Sequence, residues 1–142
     1  MCYRLFSLLA ITSLALICSG CSGSNGYYPV AGKIFHKGEP ARGATIYFYP
    51  EGEMDRLHEH VPQGIVGDDG TFTLASPAGE GARPGSYAVL IEWKKEAGQL
   101  RGRGPGLDSP DRFRGRFMDP KHPVFRAEVK PEKNQLPPFE LN

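Results

Sequence analysis

Arg83-Pro84-Gly85-Ser86-Tyr87-Ala88-Val89-Leu90-Ile91-Glu92-Trp93 is the stretch that decides the fold. Pro84-Gly85 has the order that a type II turn favours. After it the chain alternates: Tyr87, Val89, Ile91 and Trp93 on one face, Ser86, Ala88, Leu90 and Glu92 on the other. A period of two over this length belongs to a β-strand. Upstream, Val30 to His36 and Ala44 to Pro50 read as strands, joined by Lys37-Gly38-Glu39-Pro40-Ala41-Arg42-Gly43. Gly38 and Gly43 there supply positive φ, and Pro40 pre-sets a turn. Val61 to Val66 and Thr71 to Leu74 flank Gly67-Asp68-Asp69-Gly70, a hairpin signal. Val124 to Val129 and Leu136 to Leu141 close the chain. Seven antiparallel strands without an amphipathic helix predict an all-β sandwich. The 18 glycines and 13 prolines, without a period, fit many short elements joined by turns.

The length of 142 residues allows one domain. At the amino terminus Arg4 precedes the apolar run Leu5 to Ile17, followed by Cys18-Ser19-Gly20-Cys21. The run is shorter than the roughly 20 residues a bilayer-spanning helix needs, and it has the length of a signal-peptide core. Small residues before a cysteine resemble a bacterial lipobox, which implies cleavage ahead of a lipid-modified Cys21. Cys18 departs from the leucine usual in that motif, and ordinary signal-peptidase cleavage just after Cys21 is the alternative. Cysteine usage fits lipidation: Cys2 and Cys18 leave with the leader, and acylation consumes the remaining thiol, which would be awkward in an oxidising compartment. The expected organisation is a signal peptide over 1–20, a lipidated cysteine and Gly/Ser tether over 21–27, and a domain over 28–142. That organisation places the protein in the cell envelope, exported and anchored to a membrane.

Several segments of this domain carry a resemblance. Val30-Ala31-Gly32-Lys33-Ile34, with Gly38-Glu39-Pro40-Ala41-Arg42-Gly43-Ala44-Thr45-Ile46-Tyr47-Phe48-Tyr49-Pro50, resembles the opening of carboxypeptidase regulatory-like domains. Gly67-Asp68-Asp69-Gly70-Thr71-Phe72-Thr73-Leu74 and Pro84-Gly85-Ser86-Tyr87-Ala88-Val89 are similar to that family's next two motifs. The ending Phe139-Glu140-Leu141 is similar to small lipoproteins of planctomycete bacteria. The resemblance implies a transthyretin-like (prealbumin-like) sandwich, no cofactor, and a binding or structural role rather than catalysis. A related sandwich enzyme, the hydroxyisourate hydrolase, ends in Tyr-Arg-Gly-Ser, whereas this chain ends Phe139-Glu140-Leu141-Asn142.

Nucleophile elbows, phosphate loops and His-Glu-x-x-His are missing from the sequence. His58 and His60 would point the same way on a strand and, with His36 or His122, could share a metal, giving a metal- or ligand-binding enzyme as the alternative function. Their polar neighbours favour an ordinary exposed loop, so no metal is expected. Asp68 and Asp69 read as turn formers rather than paired carboxylates. Phe48, Tyr87 and Trp93 read as core, and Tyr47 and Tyr49, on the opposite face, as a surface aromatic patch. Lys33 with Asn134 or Asn142 would be the partners of an internal isopeptide bond of the kind some related sandwiches form. Lys94 to Pro123 is expected to be a long loop without regular structure. From Lys94 to Arg116 it carries seven basic residues against three acids, net +4, balanced by −4 in the rest of the mature chain. Arg101, Arg103, Arg112, Arg114 and Arg116 are its candidate contacts to an anionic surface: lipid head groups, envelope polymer or an acidic envelope protein. Nucleic acid is not an expected partner of an exported protein, and an accessory role in an envelope complex remains open.

Overall fold

The computed structural model describes residues 26–53, 60–95 and 109–142. Its strands are β1 (Val30–His36), β2 (Glu39–Pro40), β3 (Thr45–Pro50), β4 (Gln63–Ile65), β5 (Thr71–Thr73), β6 (Ala75–Ser76), β7 (Gly79–Glu80), β8 (Gly85–Glu92), β9 (Phe125–Val129), β10 (Asn134–Gln135) and β11 (Phe139–Leu141). They form two sheets, and the described residues are all-β, as the alternation predicts. One sheet has the order β7-β6-β4-β3-β8-β9. The other is built around β1, which pairs with β5 and β2 antiparallel and with β10 and β11 parallel.

The expected sandwich, mostly antiparallel, is present and differs from its sequence reading only in detail. Two of the pairings are parallel, and several strands are only two residues long. Pro137-Pro138 gives the reason for one break: proline has no N–H to donate to β1, so the last run divides into β10 and β11. Gly38 and Gly43 take the positive φ expected of them, while the turns join other partners than their sequence reading suggests. Lys37 (φ 51°) and Gly38 (φ 80°) close a two-residue hairpin between β1 and β2, after which the chain crosses to the other sheet. Gly67–Gly70 is likewise a crossing between sheets, because β5 pairs with β1 and not with β4. Asp69 shapes this crossing: one carboxylate oxygen accepts from the Thr71 N–H (3.0 Å) and hydroxyl (2.6 Å). Asp68 faces Arg42 at 3.4 Å on the surface. Gly85 begins β8 opposite Val129 rather than turning a corner.

The interior between the sheets is apolar. Ile34, Phe72 and Leu141 from one sheet meet Ile46, Phe48, Tyr87, Val89 and Ile91 from the other. The alternation of β3 and β8 correctly predicts Phe48 and Tyr87 as core. Its reading of the opposite face is corrected: Tyr49 is only 2% exposed and packs with Val61, Ala88 and Leu90 in a second apolar cluster. The cause is tertiary. The Phe48 N–H donates to the Pro62 carbonyl (2.8 Å) and the Ile91 N–H to the Phe117 carbonyl (3.0 Å). Those bonds bring Val61 and Met118 over the outer face. Tyr47 is half-buried there, its hydroxyl 3.5 Å from Glu92.

Burial raises the phenol pKa of Tyr47, Tyr49 and Tyr87 above the ordinary 10.0, with Glu92 adding to the effect at Tyr47. An acid whose folded-state pKa is raised contributes stability that is complete below its unfolded value and is lost as pH rises through the folded one. The domain should therefore weaken above pH 10.0, with these phenols ionising late and together with unfolding. Phenolate absorbance and circular dichroism on one alkaline titration check this. Full tyrosine ionisation at the ordinary pH with the fold intact would contradict it.

Candidate functional site

The two ends of the sandwich differ in chemistry. β1 and β8 both run from the end where Tyr28 pairs with Ala82 toward the end where His36 meets Trp93, ring centroids 5.9 Å apart. The second end carries the described part of the basic segment, which the structure shows to be ordered at its return. The backbones of Lys94 and Asp111 form an isolated antiparallel bridge, the Arg112 N–H donates to the Trp93 carbonyl (2.8 Å), and the Lys95 N–H to the Pro110 carbonyl (3.3 Å).

Asp111 organises this closure. Its carboxylate accepts from the backbone N–H groups of Trp93 (2.8 Å), Phe113 (3.0 Å) and Gly115 (2.8 Å). Arg114 (φ 54°) and Gly115 (φ 81°), both in the left-handed region, turn the chain so that Phe113 and Phe117 enter the core. Rings then follow one another inward: Phe113 to Phe117 (4.9 Å), Phe117 to Phe125 (5.7 Å), Phe125 to Phe139 (5.3 Å) and Phe139 to Phe72 (6.3 Å). Among the described residues, 109–123 hold no strand or helix, as expected of a loop without regular structure, but Phe113, Phe117 and Met118 anchor them as a plug on the core, which the sequence reading did not foresee. The apolar pair Phe113 and Phe117, inside an otherwise polar segment, was the available signal.

The candidate arginines divide accordingly. The Arg112 guanidinium stacks over Trp93 at 4.2 Å from the ring centroid. Trp93 is only partly buried, and its indole N–H donates to the Arg42 carbonyl (2.9 Å). Arg116 donates to the Asn142 carbonyl and lies 5.4 Å from the Phe117 ring. Arg112 and Arg116 therefore hold structure as well as charge. Arg114 is exposed. Arg101 and Arg103, like Cys21 and His58, lie outside the described residues.

The opposite end holds a cleft of about 560 Å³, within the range of ligand sites. Pro50, Pro62, Pro77 and Pro84 form much of its wall, with Tyr27, Tyr87, Glu53, His60, Ser76 and Arg83. The Arg83 guanidinium lies 5.1 Å above the Tyr27 ring. Tyr87 donates from its hydroxyl to the Arg83 carbonyl (2.8 Å) and packs against Phe48. Proline carbonyls are already used: Pro50 accepts from Glu53 N–H (3.0 Å) and Pro62 from Phe48 N–H. No reading of the sequence assembles this cleft, because its lining comes from five separate stretches.

The conceivable histidine site does not assemble among the described residues. His60 lines the cleft, whereas His36 sits at the other end, its ring nitrogen bonded to the Leu141 carbonyl. His122 pairs locally with Asp119 at 2.9 Å. No group of three or more potential ligands occurs among the described residues. Isopeptide chemistry has no support either. Asn134 is buried, its side-chain oxygen accepts from Lys130 N–H (2.9 Å), and its amide donates to the carbonyls of Lys130 (3.0 Å) and Glu132 (2.6 Å). Lys33 is exposed on β1, and Asn142 is held through its carbonyl by Arg116.

No family model, curated protein or solved structure matches this chain. Among the described residues no helix is long and apolar enough to cross a membrane.

Proposed function

We propose that the protein is an exported, non-enzymatic binding module, a transthyretin-like sandwich held at a membrane by lipid on Cys21, whose basic end engages anionic envelope polymer. The observation that carries this reading is the polarity of the domain. Tyr27 and Tyr28 enter at one end, and the segment from Lys94 returns through Asp111 at the other. Eight residues of β8 separate the two ends, about 25 Å at roughly 3.3 Å per residue. The few residues between Cys21 and Tyr27 reach about 20 Å at full extension. A domain tethered there turns its basic end away from the anchoring leaflet, toward polymer or a neighbouring envelope component.

The test uses protein extracted from native membranes. Its intact mass should correspond to a start at Cys21 with acyl chains, since stable anchoring takes two lipid signals or more. A later start or an unmodified thiol would overturn the anchor. The same preparation should co-sediment with an anionic polysaccharide, and binding should vanish as salt shortens screening from about 10 Å at 0.1 M to about 3 Å at 1 M. Lys95, Arg101, Arg103 and Arg114 are the residues to replace with serine, because changing Arg112 or Arg116 would also disturb Trp93 and the carboxyl terminus. Equal binding by that variant, or no binding at low salt, would remove the polymer from the proposal.

A further inference from the structure

We propose that the cleft beside the tether binds an extended, proline-containing segment of a partner protein. The inference deepens the reading of the domain as a binding module and concerns the end away from the basic segment.

The wall chemistry selects the ligand. A peptide added as a sheet strand needs alternating N–H and C=O groups on the wall. Four prolines there offer no N–H, and the carbonyls of Pro50 and Pro62 are occupied by internal bonds. A sugar needs an open aromatic face to stack on. Tyr87 is only 4% exposed, and one face of Tyr27 lies under Arg83. What the cleft does present is stiff aliphatic ring surface beside a side-chain donor, the Arg83 guanidinium, which lies over the Tyr27 ring.

A polyproline-type segment is complementary to that surface. Its rings offer aliphatic area, its backbone is already extended and loses little entropy on binding, and its carbonyls need donors from the receptor. Arg83 lines the wall as a side-chain donor that can supply them. Glu53 on the same wall adds a carboxylate that suits a basic residue within the ligand. The wall itself is preorganised: Tyr87 is locked by its bond to the Arg83 carbonyl, and Ser76 by its 2.8 Å bond to the Gly79 carbonyl.

The experiment is a titration of the mature protein in detergent with a ten-residue proline-rich peptide containing one arginine. A Gly/Ser peptide of equal charge and a chito-oligosaccharide serve as comparisons. Side-chain and backbone resonances of Tyr27, Ser76 and Arg83 should shift saturably with the proline peptide alone, while the Trp93 indole at the far end stays still. Arg83→Ala, which keeps the carbonyl that holds Tyr87, should weaken binding at least tenfold. Arg83→Lys should recover part of it. Unchanged affinity in Arg83→Ala, no saturable shift, or shifts produced by the oligosaccharide instead would each overturn the proposal. Polymer binding at the basic end, measured on the same samples, reports separately on the module reading.

Discussion

Asp111→Ala will release the plug at the basic end and lower stability by about 3 kcal/mol, because hydrogen bonds to a charged acceptor contribute roughly 1.5–3 kcal/mol each and are not additive. Three backbone donors lose their acceptor at once: Trp93, Phe113 and Gly115. The Trp93 and Phe113 groups are part-buried, so water replaces the lost partner incompletely. Without this carboxylate Phe113 and Phe117 keep their ring packing and the Ile91 N–H bond to the Phe117 carbonyl but lose the turn that aims them at the mouth of the ring column, and Met118 packs less well over β8. The protein has one tryptophan, Trp93, which makes its emission a direct reporter. A red shift and greater quenching should accompany a lower denaturation midpoint. Asp111→Asn keeps an acceptor oxygen but not the charge, and should fall between the two. Unchanged emission and midpoint in Asp111→Ala would show that the plug is held by ring packing alone.

At the other end, Gly81→Ala should be comparably damaging, at about 3 kcal/mol or more, for a different reason. Gly81 has φ +86°, and a Cβ there would lie 1.9 Å from the Tyr28 carbonyl oxygen. That oxygen accepts from the Ala82 N–H at 3.0 Å, while Tyr28 donates to the Ala82 carbonyl at 2.9 Å. The methyl must push this pair apart, freeing the segment that brings Tyr27 to the cleft. Gly43→Ala separates the two contributions: its φ is +77°, but nothing lies within 4 Å of the added carbon. It should cost only the conformational strain, roughly 1 kcal/mol. Denaturation midpoints of the pair, with limited proteolysis near Tyr28, make the comparison. Equal midpoints would mean that φ strain alone, not the clash, governs both sites.

These two residues mark where the sequence was and was not legible. The strands were, since alternation in β3 and β8 is a local property that burial between two layers then enforces. The aspartates of the Gly67–Gly70 crossing were legible as turn formers for the same reason. Asp111 was not: it reads as one acid among many cations, and its role depends on backbone groups 18 residues away at Trp93. Tyr49 was placed on a surface because strand periodicity says which residues share a face, not whether a later segment covers it.

The candidate contacts show the same division. Charge asymmetry picked out the basic segment, but only the fold separates Arg112 and Arg116, committed to Trp93 and Asn142, from the exposed Arg114. The proline-walled cleft left no trace in the sequence, since Tyr27, Pro50, Pro62, Pro77 and Pro84 become neighbours only when the strands pair. By itself the sequence determined that this chain forms a β-sandwich, because side-chain alternation and turn chemistry act over a few residues. Which end meets the tether, which arginines face solvent and where a ligand could sit were decided by the tertiary structure, because each depends on contacts between segments far apart in the chain.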